Sequence, residues 1–128
     1  MSQHPETRAI RIQTEKTNQK EHATPLFLTS SFTYDSAEQM AEAFADDNLD
    51  INIYSRFSNP TVDEFITKMA DLEGADDGVA TGTGMAAIFG TFMTFLGKGD
   101  HIVSASAVFG STHLNQVFAK MGDRVYLF

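Results

Sequence analysis

The stretch "GVATGTGMAA", residues 78–87, joins a strand-like run to a glycine turn and to the start of an apolar helix. The patterns that follow it are a helix from about Gly84 to Leu96, the turn "GKGD", a strand "HIVSAS", a helix within "STHLNQVFAKMG" and a last strand "RVYLF". Strands that alternate with helices along the chain predict parallel βαβ units. The sequence therefore predicts an α/β fold with a mainly parallel sheet and flanking helices.

The glycine turn in this stretch is a candidate anion site. In a βαβ unit, the helix after the first strand begins at the carboxyl edge of the sheet, where its unpaired N–H groups and its dipole favour an anion. The predicted cradle consists of the N–H groups of Thr83, Gly84 and Met85, with the hydroxyls of Thr81 and Thr83 nearby. A turn that only connects strand and helix is the alternative, and this motif alone does not separate the two.

The same turn also matches a dinucleotide-binding pattern, because Gly82, Gly84 and Ala87 satisfy G-x-G-x-x-A. Such a site requires an acidic residue at the end of the next strand, where it holds a ribose hydroxyl. Here "HIVSAS" continues into "AVFG", and Asp100 stands at the other end of that strand. This arrangement argues against nicotinamide or flavin binding.

Composition excludes several classes of partner. The 128 residues include 17 acidic and 9 basic side chains and no cysteine. The formal charge of −8 and the absence of a basic run predict no nucleic-acid or membrane partner. Without cysteine there are no disulfides or thiolate metal sites, and the four histidines show no ligand spacing, so no metal site is predicted.

Two segments bear on localisation. The N-terminal 22 residues are polar and charged, lack the apolar core of a signal peptide and predict an exposed arm. The absence of cysteine is consistent with a cytoplasmic protein. Residues 79–97 carry no charge over almost the length of a membrane span, but glycines and threonines interrupt them. We therefore predict a buried core helix there, within a body larger than this chain can supply.

The N-terminal half predicts an extended segment and two helices. Residues 23–34, "ATPLFLTSSFTY", suit an irregular extended segment. Ser36 and Gln39 have capping-box spacing at the start of a helix. Asn59 can cap a second helix that begins at Pro60, and Gly74 is a natural stop. The apolar faces predicted for the two helices are Ala37, Met40, Ala41, Phe44 and Ala45, and Val62, Phe65, Ile66, Met69 and Leu72.

Just before the second helix, "NIYSRFSNPT", residues 52–61, holds a tyrosine and an arginine in a polar patch. The planar guanidinium of Arg56 next to the hydroxyl of Tyr54 is suited to binding a phosphate through charge-assisted hydrogen bonds. A surface arginine in a salt bridge is the common alternative, and Tyr54 could equally belong to a core.

Taken together, "YSRFSNPT", "TGTGMAA" and "AVFGSTH", in this order and spacing, resemble the Cys/Met metabolism family of pyridoxal-phosphate (PLP) enzymes. The resemblance covers most of residues 23–128. It implies a type I PLP-dependent transferase-like fold, preceded by an extended N-terminal arm. Residues 1–60 would be the arm and short helix that contribute to a neighbouring subunit's site, and residues 61–128 the incomplete first part of the large PLP-binding domain.

The resemblance also implies the roles of individual residues. Tyr54 and Arg56 would bind the cofactor phosphate of the adjacent subunit, so the active sites of a homotetramer, a dimer of dimers, would be shared between subunits. Thr83, Gly84 and Met85 would bind the phosphate of their own subunit's cofactor. Phe109 stands where many members have a tyrosine stacked on the pyridine ring, and it keeps the stacking without the hydroxyl. His113 lies close to that position, although a helix surface suits it as well.

The family's Schiff-base lysine follows much later in its members, and no lysine of this chain has the matching context. The chain by itself is therefore expected to be inactive, as the N-terminal part of a longer enzyme. The expected reaction replaces the acyl group of an O-acylhomoserine with sulfide or a thiol, and "FGST" favours the O-succinylhomoserine sulfhydrylases. Methionine γ-lyase and cystathionine γ-synthase or lyase chemistry are the alternatives, and a non-catalytic phosphate-binding fragment is the alternative from another class.

Overall fold

A computed structural model describes residues 4–46 and 51–107 of the chain, and the backbone of residues 124–127. The chain forms two compact units, Met1–Ala80 and Thr81–Phe128. The predicted division into residues 1–60 and 61–128 concerns the complete protein and stays a prediction.

The first unit contains three helices: α1 (Pro5–Arg11), α2 (Ala37–Ala45) and α3 (Pro60–Glu73). Helix α2 begins as predicted, because the Ser36 hydroxyl accepts a hydrogen bond from the N–H of Gln39. The Gln39 side chain accepts from Asp35 N–H at 2.8 Å, so the reciprocal bond of the capping box is shifted by one residue. The predicted apolar face of α2 is exposed, and its one buried residue, Ala43, lies on the other side of the helix.

Helix α3 has the predicted bounds. Asn59 caps its first turn, Pro60 occupies the first position, and Gly74 ends it in the left-handed conformation with φ of 67°. Its apolar stripe is only partly covered, since Val62 and Phe65 are among the exposed large side chains. Within the described residues Ala43 and Asn59 are the only two that are buried.

The N-terminal arm is more structured than predicted. Helix α1 packs against α3, and the guanidinium of Arg8 lies 2.9 Å from the carboxylate of Asp71. Pro at the first position and Glu6 in the first turn suit a helix N-terminus, but a seven-residue helix is marginal in isolation. Contacts with α3 therefore account for helix α1, which the local sequence does not predict.

Glu64 on α3 binds the chain segment after α1, at Thr14 and Thr24. Its carboxylate accepts hydrogen bonds from Thr14 N–H at 2.9 Å and from the Thr24 hydroxyl, and it pairs with Lys68 at 2.6 Å. The side chain is only 10% exposed. Burial raises the pKa of Glu64, but hydrogen bonds from Lys68, Thr24 and Thr14 outweigh it, so the pKa lies below its ordinary value.

The second unit contains helix α4 (Gly84–Phe95) and two short strands, β1 (His101–Ser104) and β2 (Arg124–Leu127). The strands pair in parallel, with Ile102 opposite Val125, as the alternation of elements predicts. The strand predicted at the start of "GVATG" is wrong: residues 78–82 form no strand, and Val79 is 87% exposed. A strand requires a hydrogen-bonded neighbour, and within the described residues none pairs with this segment.

The sequence predicts that helix α4 is buried within a body larger than this chain, and among the described residues the helix is exposed. It has no buried residue, and its large apolar side chains, Met85, Ile88, Phe89, Met93 and Phe95, are exposed. A helix that is apolar on nearly every side requires cover, which the described residues do not supply to it. Over the described ranges, the structure has no helix with the length and apolar character needed to cross a membrane.

Candidate functional site

The loop that carries Tyr54 and Arg56 is a tight turn ahead of α3. The N–H groups of Phe57 and Ser58 both donate to the carbonyl of Tyr54, at 2.8 and 3.2 Å. Tyr54 also forms an antiparallel bridge with Ser31 of the predicted extended segment. The turn is therefore attached at its start to a segment more than twenty positions earlier in the chain.

The guanidinium of Arg56 lies next to two aromatic rings. Its central carbon lies 5.2 Å from the ring centroid of Tyr54 and 5.3 Å from that of Phe57, which is cation–π distance. The two rings meet edge to face, with centroids 6.5 Å apart. All three side chains are exposed, Phe57 at 72%. Aromatic faces leave the N–H donors in the guanidinium plane available for an anion.

The salt-bridge alternative for Arg56 receives no support here. Within residues 4–46 and 51–107, no carboxylate lies at ion-pair distance from Arg56. The core alternative for Tyr54 is also disfavoured, since its side chain is 40% exposed. Among the described residues, the surface thus carries together a tyrosine and a cation without an ion-pair partner.

A buried amide lies beneath this turn. The side chain of Asn59 is 5% exposed, and its Oδ1 accepts from Thr61 N–H at 2.9 Å, which is the helix cap predicted from the sequence. Its Nδ2 donates to the carbonyl of Phe27 at 3.0 Å and to the hydroxyl of Ser55 at 2.9 Å. These two further bonds were not predicted, because no sequence pattern shows that Phe27 lies beside α3.

The second candidate group is the N-terminus of α4, in the other unit. Thr83 is the cap residue, and its hydroxyl accepts from Ala86 N–H at 3.1 Å. The Thr81 hydroxyl donates to the carbonyl of Thr83 at 2.8 Å. Nothing in the described part of the chain accepts a hydrogen bond from the N–H groups of Gly84 or Met85, which are therefore available to an anion.

The glycine at this helix start is not required by the chain's own packing. A Cβ added to Gly84 would meet no heavy atom of the described residues within 4 Å, and the backbone of Gly84 does not have the positive φ that favours glycine. No acidic residue lies in the first turn of α4. The open space and the two N–H groups fit the approach of a phosphate.

Other predicted site residues lie outside the described parts of the chain. They are Phe109 and His113, whose roles stay predictions. In the described residues, no group of three or more acidic or histidine side chains is placed to hold a metal ion.

Comparison with known proteins agrees with the sequence motifs. Residues 6–127 match the family model described as "Cys/Met metabolism PLP-dependent enzyme". The chain is 42% identical to the O-succinylhomoserine sulfhydrylase of Pseudomonas aeruginosa, over 94% of this chain and 30% of that protein. It is 40% identical to an L-methionine γ-lyase of Fusobacterium nucleatum, over 93% of this chain and 30% of the relative.

Solved structures show the same relationship. A Campylobacter jejuni protein assigned as an O-acetylhomoserine (thiol)-lyase, whose structure contains pyridoxyl-lysine monophosphate, superposes with a TM-score of 0.85 at 26% identity. The match covers 99% of this chain and 32% of that one. The cystathionine γ-synthase of Xanthomonas oryzae has a TM-score of 0.83 at 28% identity, over 99% of this chain and 31% of that chain.

These comparisons confirm the predicted type I fold, of which the chain spans about a third, as it spans about a third of the relatives' length. The relatives include sulfhydrylases, a methionine γ-lyase and a cystathionine γ-synthase, so they support the family without selecting one reaction. The chain belongs to the Cys/Met metabolism family of PLP-dependent enzymes.

Proposed function

We propose that this chain supplies the phosphate-binding groups for PLP in an enzyme of sulfur amino-acid metabolism. The observation that carries the proposal is the pair of N–H groups at Gly84 and Met85, which within the described residues have no acceptor and face open space, in a chain of a PLP-dependent family. The Thr83 cap orients these N–H groups. Helix N-termini favour phosphate through these groups and through the helix dipole.

Arg56 and Tyr54 form the second part of the proposed site. A guanidinium that has no carboxylate partner among the described residues and lies next to two rings on an exposed turn is available to a phosphate carried by another subunit. We place it at the cofactor of the neighbouring subunit in a homo-oligomer, a dimer of dimers. The exposed aromatic side chains around Arg56 would be covered in such an assembly.

The proposed reaction is γ-replacement on an O-acylhomoserine, with sulfide or a thiol as the incoming group. The 42% identity to the Pseudomonas sulfhydrylase supports this choice. When bound, PLP supplies an electron sink for carbanions at the substrate. The residues of this chain bind and orient the phosphate end, and Phe109 would stack on the ring. Elimination, as in the methionine γ-lyases, is the second candidate, because the Fusobacterium relative is nearly as similar, at 40%.

Replacing Arg56 by alanine in the full-length protein tests the phosphate-binding role. Hydrogen bonds to charged groups contribute about 1.5–3 kcal/mol each, so we expect PLP affinity to fall by about 10- to 100-fold. Absorbance titration of the apoprotein measures this change. Arg11→Ala removes the same charge from an exposed position in α1 and should leave PLP affinity unchanged. Equal PLP affinity in Arg56→Ala and wild type would refute the assignment.

A further inference from the structure

We infer that Asn59 is a positioning residue for the Tyr54–Arg56 turn, beyond its role as the cap of α3. The inference rests on the proposed function, because it concerns how the Arg56 guanidinium is presented to a phosphate. One side-chain donor of Asn59 binds the turn at Ser55, the other binds the segment that contains Phe27, and the side-chain acceptor caps the helix.

The geometry of Asn59 joins three separate segments. Its Nδ2 donates to the carbonyl of Phe27 and to the hydroxyl of Ser55, while its Oδ1 accepts from the first turn of α3. An amide group has two donor hydrogens, and here both are used. With the side chain only 5% exposed, water is a poor substitute for these partners. Each bond that is lost would therefore leave a polar group unpaired inside the structure.

Ser55 links Asn59 to the proposed phosphate-binding residues, because it lies between Tyr54 and Arg56 in the chain. Its N–H donates to the carbonyl of Ser30 at 2.9 Å, and its hydroxyl donates to the carbonyl of Thr29 while accepting from Asn59. A rotation of Ser55 would displace both of its neighbours. Asn59 and the segment around Thr29 thus fix the centre of the turn from two sides.

A capping role alone does not explain these contacts. A cap uses only the side-chain oxygen, and aspartate is about as good a cap as asparagine. An aspartate at position 59 would keep the bond to Thr61 but would bring a carboxylate oxygen towards the carbonyl of Phe27, where no hydrogen is available. Asn59→Asp therefore separates the two roles, because it preserves the cap and removes the donors.

The test compares the affinities of the full-length apoprotein for PLP and for pyridoxal, which lacks the phosphate. For Asn59→Asp we expect PLP affinity to fall by about tenfold and pyridoxal affinity to change by less than about twofold. Ser55→Ala removes the hydroxyl that accepts from Asn59 without touching the cap, and it should show the same selective loss. Arg56→Ala is measured in parallel as the reference for loss of the phosphate contact.

The outcomes separate this inference from the proposed function. If Arg56→Ala weakens PLP selectively but Asn59→Asp and Ser55→Ala bind PLP like wild type, Asn59 is a cap only and the inference is overturned. Equal loss of PLP and pyridoxal in both variants also overturns it, because it indicates general disruption. If Arg56→Ala itself leaves the preference for PLP over pyridoxal unchanged, the proposed phosphate contact fails instead.

Discussion

Subunit hybrids test whether Arg56 acts on the site of a neighbouring subunit. Two variants of the full-length protein each disable one part of the proposed phosphate site. Arg56→Ala removes the guanidinium, and Gly84→Asp places a carboxylate at the N–H groups of α4. The second variant should fold, because the space around Gly84 is open and an acidic residue suits the first turn of a helix.

The expected magnitude follows from counting intact sites. If Arg56 serves the partner's cofactor, a hybrid dimer of the two variants has one site with wild-type Gly84 and wild-type Arg56, and one site that lacks both. The hybrid should then bind PLP at about half of the wild-type capacity, since a two-fold dimer has two equivalent sites. Each parent variant alone should bind with affinity reduced by about tenfold or more, since every site lacks one group.

The assay uses two affinity tags to isolate hybrids and measures PLP retained after gel filtration. A matched control hybrid pairs wild type with the double variant Arg56→Ala/Gly84→Asp. In the shared-site arrangement that control has no intact site, whereas in a site made from one subunit it has one intact site. The two hybrids therefore give opposite results under the two arrangements.

PLP binding at about half of the wild-type capacity in the control hybrid, together with no such binding in the first hybrid, would refute the shared site. It would mean that Arg56 serves the cofactor of its own subunit. PLP binding in the first hybrid only would support the proposal that Arg56 contributes to the site of the neighbouring subunit.

Two further predictions concern α4 and the arm. Gly84→Ala should leave thermal stability nearly unchanged and weaken PLP binding, because the added methyl group meets only open space among the described residues but would lie where we place the phosphate. The control is Gly90→Ala, in the middle of the same helix. It should stabilise α4 by about 0.5–1 kcal/mol and leave PLP binding intact. For Glu64, whose pKa is lowered in the folded protein, the stabilisation is present above the ordinary carboxyl value of 4.5 and is lost as the pH falls through the folded pKa. The melting temperature should therefore fall with decreasing pH in wild type and fall less in Glu64→Gln. The same pH dependence in both proteins would contradict the proposed contribution of the Glu64 carboxylate to stability.

Features that depend on neighbours in sequence were predictable. The bounds of α3 follow from an Asn-Pro start and a glycine stop, and the start of α4 follows from Thr83, because capping bonds span only two or three residues. The candidate residues Arg56, Gly84 and Met85 were also proposed from the sequence, through motifs of specific composition and spacing. Local chemistry is sufficient for such features.

Tertiary structure alone determined the contacts between segments distant in sequence. Nδ2 of Asn59 donates to the carbonyl of Phe27, and the carboxylate of Glu64 accepts from Thr14 N–H; neither pairing follows from any periodicity. Helix α1 forms on the surface of α3, and the predicted strand at residues 78–82 does not form without a neighbouring strand. Sequence determined where helices begin and end, because those bonds are local. Tertiary structure decided what each polar side chain binds, because that depends on which distant segment lies beside it.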